Sequence, residues 1–431
     1  MATETSQHVL AIAVEGSRGA STLARSASGV KAALRGCWKV DHQSANQFEY
    51  HPRHCDCCGS DKLEPAFSFD YVVRQRTRSW CWKVRNVVCK TCGFALVSPA
   101  PSAEELRAYY ADSFAAADVG VAEFSIPKRI EFLRTHSVRT DRYVEIGANN
   151  STEFVRELRS HYADVVTIEV NDHCAPTTRD AASVADACAD VVASYFVLEH
   201  VVDPVSFLRE CRRLLRPDGA LILEVPDIGI YSRNPAALYW WEHVNHFSPR
   251  TLARLAARAG LSVVATDHEL CSRNFGFAAA LRVAEQQQIE SSDCDEADRA
   301  LAAIRSGSLD IERLIGTLSE ARARINATVA SNGSVVIWAA NPLCARLVDN
   351  LAPHPRITVV DIDPLKRDYL NGFPASTPAA AESAVRSANL FIICSTGYAE
   401  SSIKPAIAAI RGGPLGPGQV SVIGWEVSSA G

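Results

Sequence analysis

Four cysteines in two Cys-x-x-Cys-Gly units have the types and the spacing of a metal site. The first unit reads Cys55-Asp-Cys-Cys58-Gly and the second reads Cys89-Lys-Thr-Cys92-Gly, with an insert of ribbon length between them. The glycine after each pair permits a tight turn whose backbone N–H groups face thiolate sulfur. Four thiolates fill a tetrahedral zinc shell and leave no open position. The sequence therefore predicts a structural zinc site at Cys55, Cys58, Cys89 and Cys92.

Other interpretations of this segment stay open. Cys57 makes the inner assignment of the first pair ambiguous, and Cys81 and His54 are further candidate ligands. All of these cysteines could also be unliganded. A redox role is less favoured, because neither pair opens a helix after a strand of thioredoxin type.

A second set of residues suited to chemistry follows two predicted strands. The first strand ends in Glu145-Ile-Gly147-Ala148-Asn149-Asn150-Ser151-Thr152 and leads into a helix, which places backbone amides and small side chains against a ligand. The next strand ends at Glu169, where a carboxylate can accept hydrogen bonds from a ribose diol. A single glycine is a weak signal, and a plain turn between strand and helix is the alternative. A nicotinamide cofactor is not favoured, since Gly-x-Gly-x-x-Gly is absent.

The elements around these residues alternate between strands and helices. Apolar runs of strand length are separated by segments of helical spacing, which is typical of buried parallel strands with crossover helices. The predicted strands are Arg142–Ile146, Val165–Val170, Val191–Tyr195 and Ala220–Val225, with helices at Glu153–His161 and Val205–Leu215. A second series has strands at Ser334–Ala339, Ile357–Asp361 and Leu390–Cys394, with a helix at Cys344–Asn350.

Composition sets the broad class of the protein. With 431 residues, 47% hydrophobic and 22% charged, the chain is long enough for two or three globular domains. A formal charge of −5 argues weakly against a nucleic-acid partner. No apolar run approaches the roughly 20 residues of a membrane helix, and no basic leader indicates export. The 14 cysteines then fit a reduced, cytoplasmic protein with one metal cluster better than a disulfide framework.

These patterns divide the chain into five parts. Residues 1–50 are expected to be poorly ordered, 51–100 to form a zinc-binding ribbon and 101–282 to form an α/β domain. Residues 283–331 are expected to be a helical connector, and 332–431 a second α/β domain. The predicted fold class is thus α/β, with a Rossmann-like domain between an N-terminal zinc ribbon and a C-terminal Rossmann-like domain.

Residues 140–265 resemble the class I S-adenosylmethionine-dependent methyltransferases. Three further recurring features follow the stretch from Glu145 to Glu169. They are Asp180-Ala181, the segment Leu198-Glu199-His200 and the turn Leu214-Leu-Arg-Pro217-Asp-Gly219. The resemblance implies S-adenosylmethionine as cofactor. Asn149 and Ser151 stand where many members carry glycine. The residues implied to bind the cofactor are Glu145, Gly147, Ala148, Asn149, Glu169, Asp180, Ala181 and Ser194.

The order of the parts resembles the three-domain sugar C-methyltransferases, which act on nucleotide-linked 4-keto-deoxysugars. Their C-terminal domain typically carries an Asp-x-Asn-Pro-x-Lys run, matched here by Asp361-Ile-Asp363-Pro364-Leu-Lys366. This resemblance spans about residues 51–400 and implies a small-molecule acceptor, a nucleotide-activated sugar. It implies no membrane partner.

The same resemblance implies catalytic residues. Such enzymes remove a proton alpha to a ketone, and the enolate then attacks the sulfonium methyl group, so a base is required. The candidates are His243 as base, Glu242 beside it and His200, together with a tyrosine, Tyr109 or Tyr110. Trp240 and Trp241 replace the Tyr and first His of the family's Tyr-His-Glu-His segment, and structural packing is the alternative for His243 and His246.

Other functions are weighed against sugar C-methylation. Trp240 and Trp241 are compatible with O- or N-methylation of another small molecule. An RNA methyltransferase or RNA binder would use Trp80 and Trp82 among basic ribbon residues. An inactive scaffold is a third alternative, because the Asn149 to Ser151 loop departs from the usual pattern. The basic ribbon residues are Arg74, Arg76, Arg78, Lys83 and Arg85.

Overall fold

A computed structural model describes most of the chain in nine stretches. These are residues 46–74, 79–111, 125–148, 152–171, 174–284, 294–368, 370, 372–395 and 398–424. The predicted disordered segment falls outside them up to residue 45. The described residues contain two five-stranded sheets, one six-stranded sheet and one two-stranded sheet.

The N-terminal part is built on a long antiparallel hairpin. Its strands are β1 (Asn46–Gln47), β2 (Tyr50–His51), β3 (Leu63–Arg74), β4 (Ser79–Cys89), β5 (Ala95–Val97) and β6 (Ala100–Pro101). Phe67, Phe69 and Tyr71 alternate along β3 with exposed residues such as Asp70, so one face of the hairpin is apolar and packs inward. β1 and the first residue of β2, Tyr50, lie before the predicted ribbon boundary at residue 51.

The central part contains the six-stranded sheet. Its helices are α1 (Ala103–Ala111), α2 (Ile126–His136), α3 (Thr152–His161), α4 (Pro204–Leu214) and α5 (Pro249–Arg258). Its strands are β7 (Arg142–Ile146), β8 (Asp164–Ile168), β9 (Ala189–Tyr195), β10 (Leu215–Pro226), β11 (Asn245–His246), β12 (Leu261–Asp267) and β13 (Gly276–Val283). All four strands predicted from 142 to 225 are present. β10 begins at Leu215 instead of Ala220, so it includes most of the predicted turn from Leu214 to Gly219, where its pairing with β9 is irregular.

The order of this sheet is β12-β13-β10-β9-β7-β8. β8, β7, β9 and β10 run parallel, and β13 is antiparallel to both of its neighbours. In register, Ile146 pairs with Ile168, and Glu145 pairs with Ala193. The carboxyl ends of β7, β8 and β9 therefore meet at one edge, where ligands bind in doubly wound sheets.

The strand β11 leaves the central part and joins the N-terminal sheet. Asn245 pairs with Leu96 and His246 pairs with Ala95 in an antiparallel bridge to β5. This pairing fixes the segment that carries Glu242 and His243 against the cysteine-containing module.

The C-terminal part is a helix followed by a parallel sheet. Its helices are α6 (Cys294–Ala330), α7 (Pro342–Val348), α8 (Glu382–Ser387) and α9 (Lys404–Arg411). Its strands are β14 (Val335–Trp338), β15 (Ile357–Val360), β16 (Ala375–Ser376), β17 (Leu390–Ile393) and β18 (Val420–Val422), in the order β16-β15-β14-β17-β18. α6 packs on β3, β4, β14 and β17, so a single apolar core runs from the hairpin to this sheet. None of the described helices has the length and apolar character needed to cross a bilayer.

Candidate functional site

The four predicted zinc ligands lie together. Their sulfur atoms are all within 4.8 Å of one another, with 3.4 Å between Cys55 and Cys92 and 3.5 Å between Cys58 and Cys89. Thiolates bound at 2.3 Å in a tetrahedron stand about 3.8 Å apart, so the set fits zinc. The glycine after each pair has φ near +78°, in keeping with a tight turn, but its N–H donates to the carbonyl of Cys55 or Cys89 and not to sulfur. Cys57, Cys81 and His54 are not part of the four-sulfur group.

The predicted cofactor turn closes tightly over the sheet. Gly147 has φ of +79°, and a Cβ atom there would overlap Cγ2 of Val197, which follows β9. The N–H groups of Gly147 and Ala148 both donate to the carbonyl of Ile168. These two amides are used inside the fold, so the prediction that they face a ligand is wrong. What glycine permits is the close approach of two strand ends.

Two predicted acidic residues lie at the same edge. Thr178 bridges in parallel to Ile168, which extends the sheet beyond β8 and brings Asp180 to the level of Glu169. Glu169 accepts a hydrogen bond of 3.0 Å from the N–H of Asn171. Asp180 accepts one from the N–H of Ala182 and begins a short helical turn in which Ala181 is buried.

Two other predicted cofactor residues lie within the sheet. Ser194 is buried and donates its hydroxyl to the carbonyl of Ile146. Glu145 is buried and accepts a 3.0 Å hydrogen bond from Tyr143, and burial raises the pKa of its carboxyl to about 7. Both residues therefore support the turn after β7 from within the sheet. Asn149 lies outside the described residues.

The predicted catalytic histidines meet around a carboxylate that was not predicted. The Nε2 atoms of His200 and His243 each lie 3.9 Å from Oε1 of Glu199. The Glu199 side chain is 0% exposed, and neither of its oxygens has a hydrogen-bond partner among the described residues. Burial raises the pKa of Glu199 to about 8.

Backbone carbonyl groups set the orientation of both imidazole rings. Nδ1 of His243 lies 2.8 Å from the carbonyl oxygen of Ala237. Nδ1 of His200 lies 3.2 Å from the carbonyl oxygen of Glu242 and 3.0 Å from the hydroxyl of Tyr110. Since a carbonyl oxygen only accepts, each Nδ1 carries the proton and each Nε2 keeps a lone pair. Burial lowers the pKa of His200 to about 4 and that of His243 well below its usual value, so both rings are neutral.

The Glu242 carboxylate is held by two aromatic side chains. Its Oε1 accepts from the hydroxyl of Tyr109 at 2.5 Å, and its Oε2 accepts from Nε1 of Trp240 at 2.7 Å. The side chain is 7% exposed, so it is not solvated, and its oxygens do not bond to His243. Tyr109 and Trp240 thus hold the carboxylate, while the Glu242 carbonyl orients His200.

The tryptophan pair packs into an aromatic cage around an arginine from α7. Trp240 and Trp241 stack with ring centroids 5.2 Å apart, and Trp241 stacks on Tyr71 of β3 at 4.3 Å. The Arg346 guanidinium lies 3.6 Å from the ring centroid of Tyr239 and 4.6 Å from that of Trp241. The C-terminal part therefore contacts the segment that precedes Glu242 and His243.

Three aromatic or imidazole side chains have structural roles. His246 is held between Tyr231 at 2.8 Å and Asn86 at 2.7 Å, as the packing alternative predicted. Trp80 and Trp82 are buried in the ribbon core, and Trp80 stacks on Phe48. The aromatic surface that an RNA contact would need is therefore absent at these two tryptophans.

Sequence reasoning did not assign Glu199, Arg53 or Arg346. Arg53 donates to the carbonyl oxygens of Val202 and Val244 and to the side chain of Asn245. It thus ties the cysteine module to the segments that follow His200 and His243. For Glu199 a signal was present, since an acid directly precedes a candidate catalytic histidine.

Residues 121–266 match the family model described as a methyltransferase domain. These residues of the chain form a methyltransferase domain. The matched range includes β7, β8, β9, β10 and all of β12 except Asp267, and it ends before β13. It also contains Glu199, His200 and His243. The methyltransferase domain is thus an enzyme domain with a Rossmann-like α/β fold.

Curated relatives match parts of this domain. A 37.1 kDa protein of a transposon from Streptomyces fradiae is 32% identical over 131 residues, which covers 27% of this chain and 36% of that protein. A ubiquinone biosynthesis O-methyltransferase from Parvibaculum lavamentivorans is 31% identical over 78 residues, 18% of this chain and 30% of the relative. A probable S-adenosylmethionine-dependent methyltransferase from Mycobacterium tuberculosis is 36% identical over 73 residues, 17% of this chain and 24% of the relative.

The chain thus spans about a quarter to a third of the length of these three relatives. Among solved structures, the 1,6-didemethyltoxoflavin-N1-methyltransferase of Burkholderia thailandensis is 16% identical with a TM-score of 0.35, over 44% of this chain and 96% of that chain.

Proposed function

We propose that this chain transfers the methyl group of S-adenosylmethionine to a small polar acceptor. One observation carries the proposal: a buried cluster of Glu199, His200 and His243 follows β9 at the sheet edge where Gly147 packs on Val197. A cofactor at the ends of β7 and β8 would lie beside an acceptor at the end of β9. That arrangement brings donor and acceptor together at one edge.

The proposed cofactor residues line this edge. Gly147 and Ala148 form the wall nearest the methionine part, Glu169 accepts from the ribose diol, and Asp180 with Ala181 contacts the adenine. Glu145 and Ser194 act from within the sheet by holding the strand ends, and Asn149 belongs to the same proposed set. Glu169 and Asp180 are only partly buried, which supports these roles because their carboxylates remain accessible to a ligand.

The reaction needs a base close to the molecule that receives the methyl group. The bond between sulfur and methyl carbon breaks, a bond from the acceptor atom to that carbon forms, and S-adenosylhomocysteine leaves. The atom that receives the methyl group loses a proton, and this proton must move to a base. Nε2 of His243 is the proposed base, because its lone pair faces the cluster and its Nδ1–H is fixed by Ala237. His200 and Tyr110 position the acceptor.

For the acceptor we propose the carbon alpha to the ketone of a nucleotide-linked deoxysugar. The order of the modules supports it: a cysteine ribbon, the methyltransferase domain, α6 and a parallel sheet of order β16-β15-β14-β17-β18. We propose the ribbon at 51–100, the methyltransferase domain at 101–282, the connector at 283–331 and a second Rossmann-like domain at 332–431.

An oxygen acceptor is the second candidate. Several relatives are ubiquinone biosynthesis O-methyltransferases, which favours a hydroxyl nucleophile in this domain. A phenolic or enolic hydroxyl would use the same buried imidazoles. An RNA acceptor has no such support, because Trp80 and Trp82 are buried.

The four cysteines are proposed to hold a structural zinc ion. Their sulfur spacing fits a tetrahedral site, and the positive φ of Gly59 and Gly93 allows the tight turn after each cysteine pair. Elemental analysis of the purified full chain should show about one zinc per chain. In Cys58→Ser we expect zinc to fall well below that level and thermal stability to drop. Cys188→Ser is the matched control, since Cys188 is also partly exposed and lies outside the group. Equal zinc in both variants would contradict the site.

Two measurements test the function. Calorimetry of the full chain with S-adenosylhomocysteine should show one binding site, and no binding at millimolar ligand would contradict the proposal. A screen with a methyl-labelled donor against keto-sugar nucleotides and phenolic acceptors then identifies the substrate. Cofactor binding without any methylated product in either class would favour the inactive scaffold.

A further inference from the structure

We propose that Glu199, His200 and His243 bind a divalent transition-metal cation that coordinates an oxygen of the acceptor. The inference rests on the proposed function for the location of the acceptor. It changes the role of His243 from base to ligand, so the two roles can be separated by experiment.

Glu199 provides the first reason. Its carboxylate is fully buried, and neither oxygen has a hydrogen-bond partner among the described residues. A buried polar group without a partner costs about 1–3 kcal/mol, and a buried charge costs more. Protonation would remove the charge of Glu199, but at 3.9 Å neither Nε2 is within hydrogen-bond distance of Oε1, so the two oxygens would still lack a partner. A cation between the three side chains would supply one.

The two histidines provide the second reason. Each donates its Nδ1–H to a main-chain carbonyl, His243 to Ala237 and His200 to Glu242. Histidines that ligate metals commonly donate the other ring N–H to a carbonyl or carboxylate, which fixes the tautomer. Both Nε2 lone pairs then face Glu199. A histidine with only a packing role does not need a carbonyl partner that fixes its tautomer.

The distances suit a cation after a small adjustment. The three donor atoms lie within 4.8 Å of one another, and each Nε2 lies 3.9 Å from Oε1 of Glu199. Donors about 2.1 Å from one ion stand about 3.4 Å apart in a tetrahedron, so each donor needs to move by a few tenths of an ångström. Two imidazoles and one carboxylate suit Mn²⁺, Fe²⁺, Co²⁺ or Zn²⁺ and leave positions open for other ligands.

A cation here would act on the acceptor as a Lewis acid. A hydroxyl or enolic oxygen bound to it would lose its proton to solvent water more readily. A bound ketone oxygen would make the alpha carbon more acidic, and the proton of that carbon would likewise pass to solvent water. This chain's side chains would bind the ion and orient the acceptor, with Tyr110 against the His200 ring. Methyl transfer itself is unchanged.

The test is a cation titration of the full, zinc-loaded protein. Co²⁺ and Mn²⁺ are titrated by calorimetry in the presence of S-adenosylhomocysteine. We expect one additional site per chain in the wild type, and binding at least about 100-fold weaker in Glu199→Gln, since loss of even an outer partner costs about 10- to 100-fold. The Co²⁺ spectrum should show nitrogen and oxygen ligation without a sulfur charge-transfer band.

Several variants protect the test from a folding artefact. Glu210→Gln is the matched control, because Glu210 is also buried but is already paired with Arg213; it should bind Co²⁺ as the wild type does. His243→Gln should lose the site while it keeps a normal circular dichroism spectrum. If the wild type binds neither cation at millimolar concentration, or if Glu199→Gln and His243→Gln bind as well as the wild type, the proposal is overturned.

Measurements of methyl transfer distinguish the cation site from the proposed function. Chelation should reduce methyl transfer by more than about tenfold and leave S-adenosylhomocysteine affinity unchanged, and added Mn²⁺ or Co²⁺ should restore it. Activity that survives chelation contradicts the cation and leaves His243 as the base. Failure to bind S-adenosylhomocysteine contradicts the proposed function instead.

Discussion

The three histidines near the sheet edge differ in what their ring nitrogens contact. Both nitrogens of His246 are bonded, to Tyr231 and Asn86. His200 and His243 each have one nitrogen bonded to a main-chain carbonyl and the other facing Glu199. Two imidazoles are therefore available for chemistry, and the third is part of the core.

Replacing Tyr110 tests the positioning of His200. In Tyr110→Phe the hydroxyl 3.0 Å from Nδ1 is lost. We expect kcat to fall about tenfold, the equivalent of one hydrogen bond of about 1.4 kcal/mol, with S-adenosylhomocysteine affinity unchanged. Tyr162→Phe is the control, because its hydroxyl bonds Ser137 away from the cluster. Equal losses in both variants would indicate a general effect on folding.

Glu145 should give the protein a distinct pH dependence of stability. Burial raises its pKa from 4.5 to about 7. A raised carboxyl pKa means that the folded state binds more protons, so the contribution is complete below pH 4.5 and is lost as pH rises through 7. We expect Glu145→Gln to gain about 3 kcal/mol relative to wild type between these pH values, at about 1.4 kcal/mol per unit. Urea unfolding of both proteins at pH 5 and pH 8 measures this change. The same difference in unfolding free energy at both pH values would contradict the raised pKa of Glu145.

At the scale of elements, turns and short strands position the cluster. Gly147 allows β7 to end against Val197, which leads directly into the turn that carries Glu199 and His200. β11 attaches the segment after His243 to the cysteine module, and Arg53 bonds to both segments. The site thus depends on contacts made outside the parallel sheet.

Gly147→Ala tests the strand-end contact. The new Cβ would overlap Val197, and φ of +79° disfavours any side chain. We expect S-adenosylhomocysteine affinity to fall more than about tenfold and stability to drop by more than about 1 kcal/mol. Gly412→Ala is the matched control, with φ of +76° and no atom within 4 Å, and should lose only about 1 kcal/mol. Similar behaviour of the two variants in thermal melts and calorimetry would argue against the overlap.

At the scale of the whole molecule, the N-terminal hairpin, α6 and the C-terminal sheet share one core. This core includes Trp82 from β4, Leu318 from α6 and Ile337 from β14. Arg346 from α7 extends it to the aromatic cage before His243. Trp240 and Trp241 are part of this cage, so they hold the segment that carries His243 and need not contact the proposed acceptor.

Arg346→Met tests whether the C-terminal part positions the site. Loss of the guanidinium should loosen the Tyr239 to Trp241 segment and misplace His243, and a misplacement of about 1 Å can cost about 100-fold. We expect kcat to fall by about 10- to 100-fold while S-adenosylhomocysteine affinity stays the same. Arg411→Met is the control, because Arg411 also lies over an aromatic ring, Phe391, but far along the chain from the cage. Unchanged kcat in Arg346→Met would refute this coupling.

Features that depend on neighbours along the chain could be predicted from the sequence. Each Cys-x-x-Cys-Gly turn forms locally, so the group of four cysteines was predictable, and apolar runs of strand length indicated the strands and thus the Rossmann-like fold. Glu169 was predicted from its place at the end of a strand, and Asp180 from the resemblance to methyltransferases. The side-chain partners could be seen only in the folded structure. Glu199 and His200 meet His243 through the pairing of β11, and Glu242 turns to Tyr109, because these contacts join segments far apart in sequence whose packing no local pattern encodes.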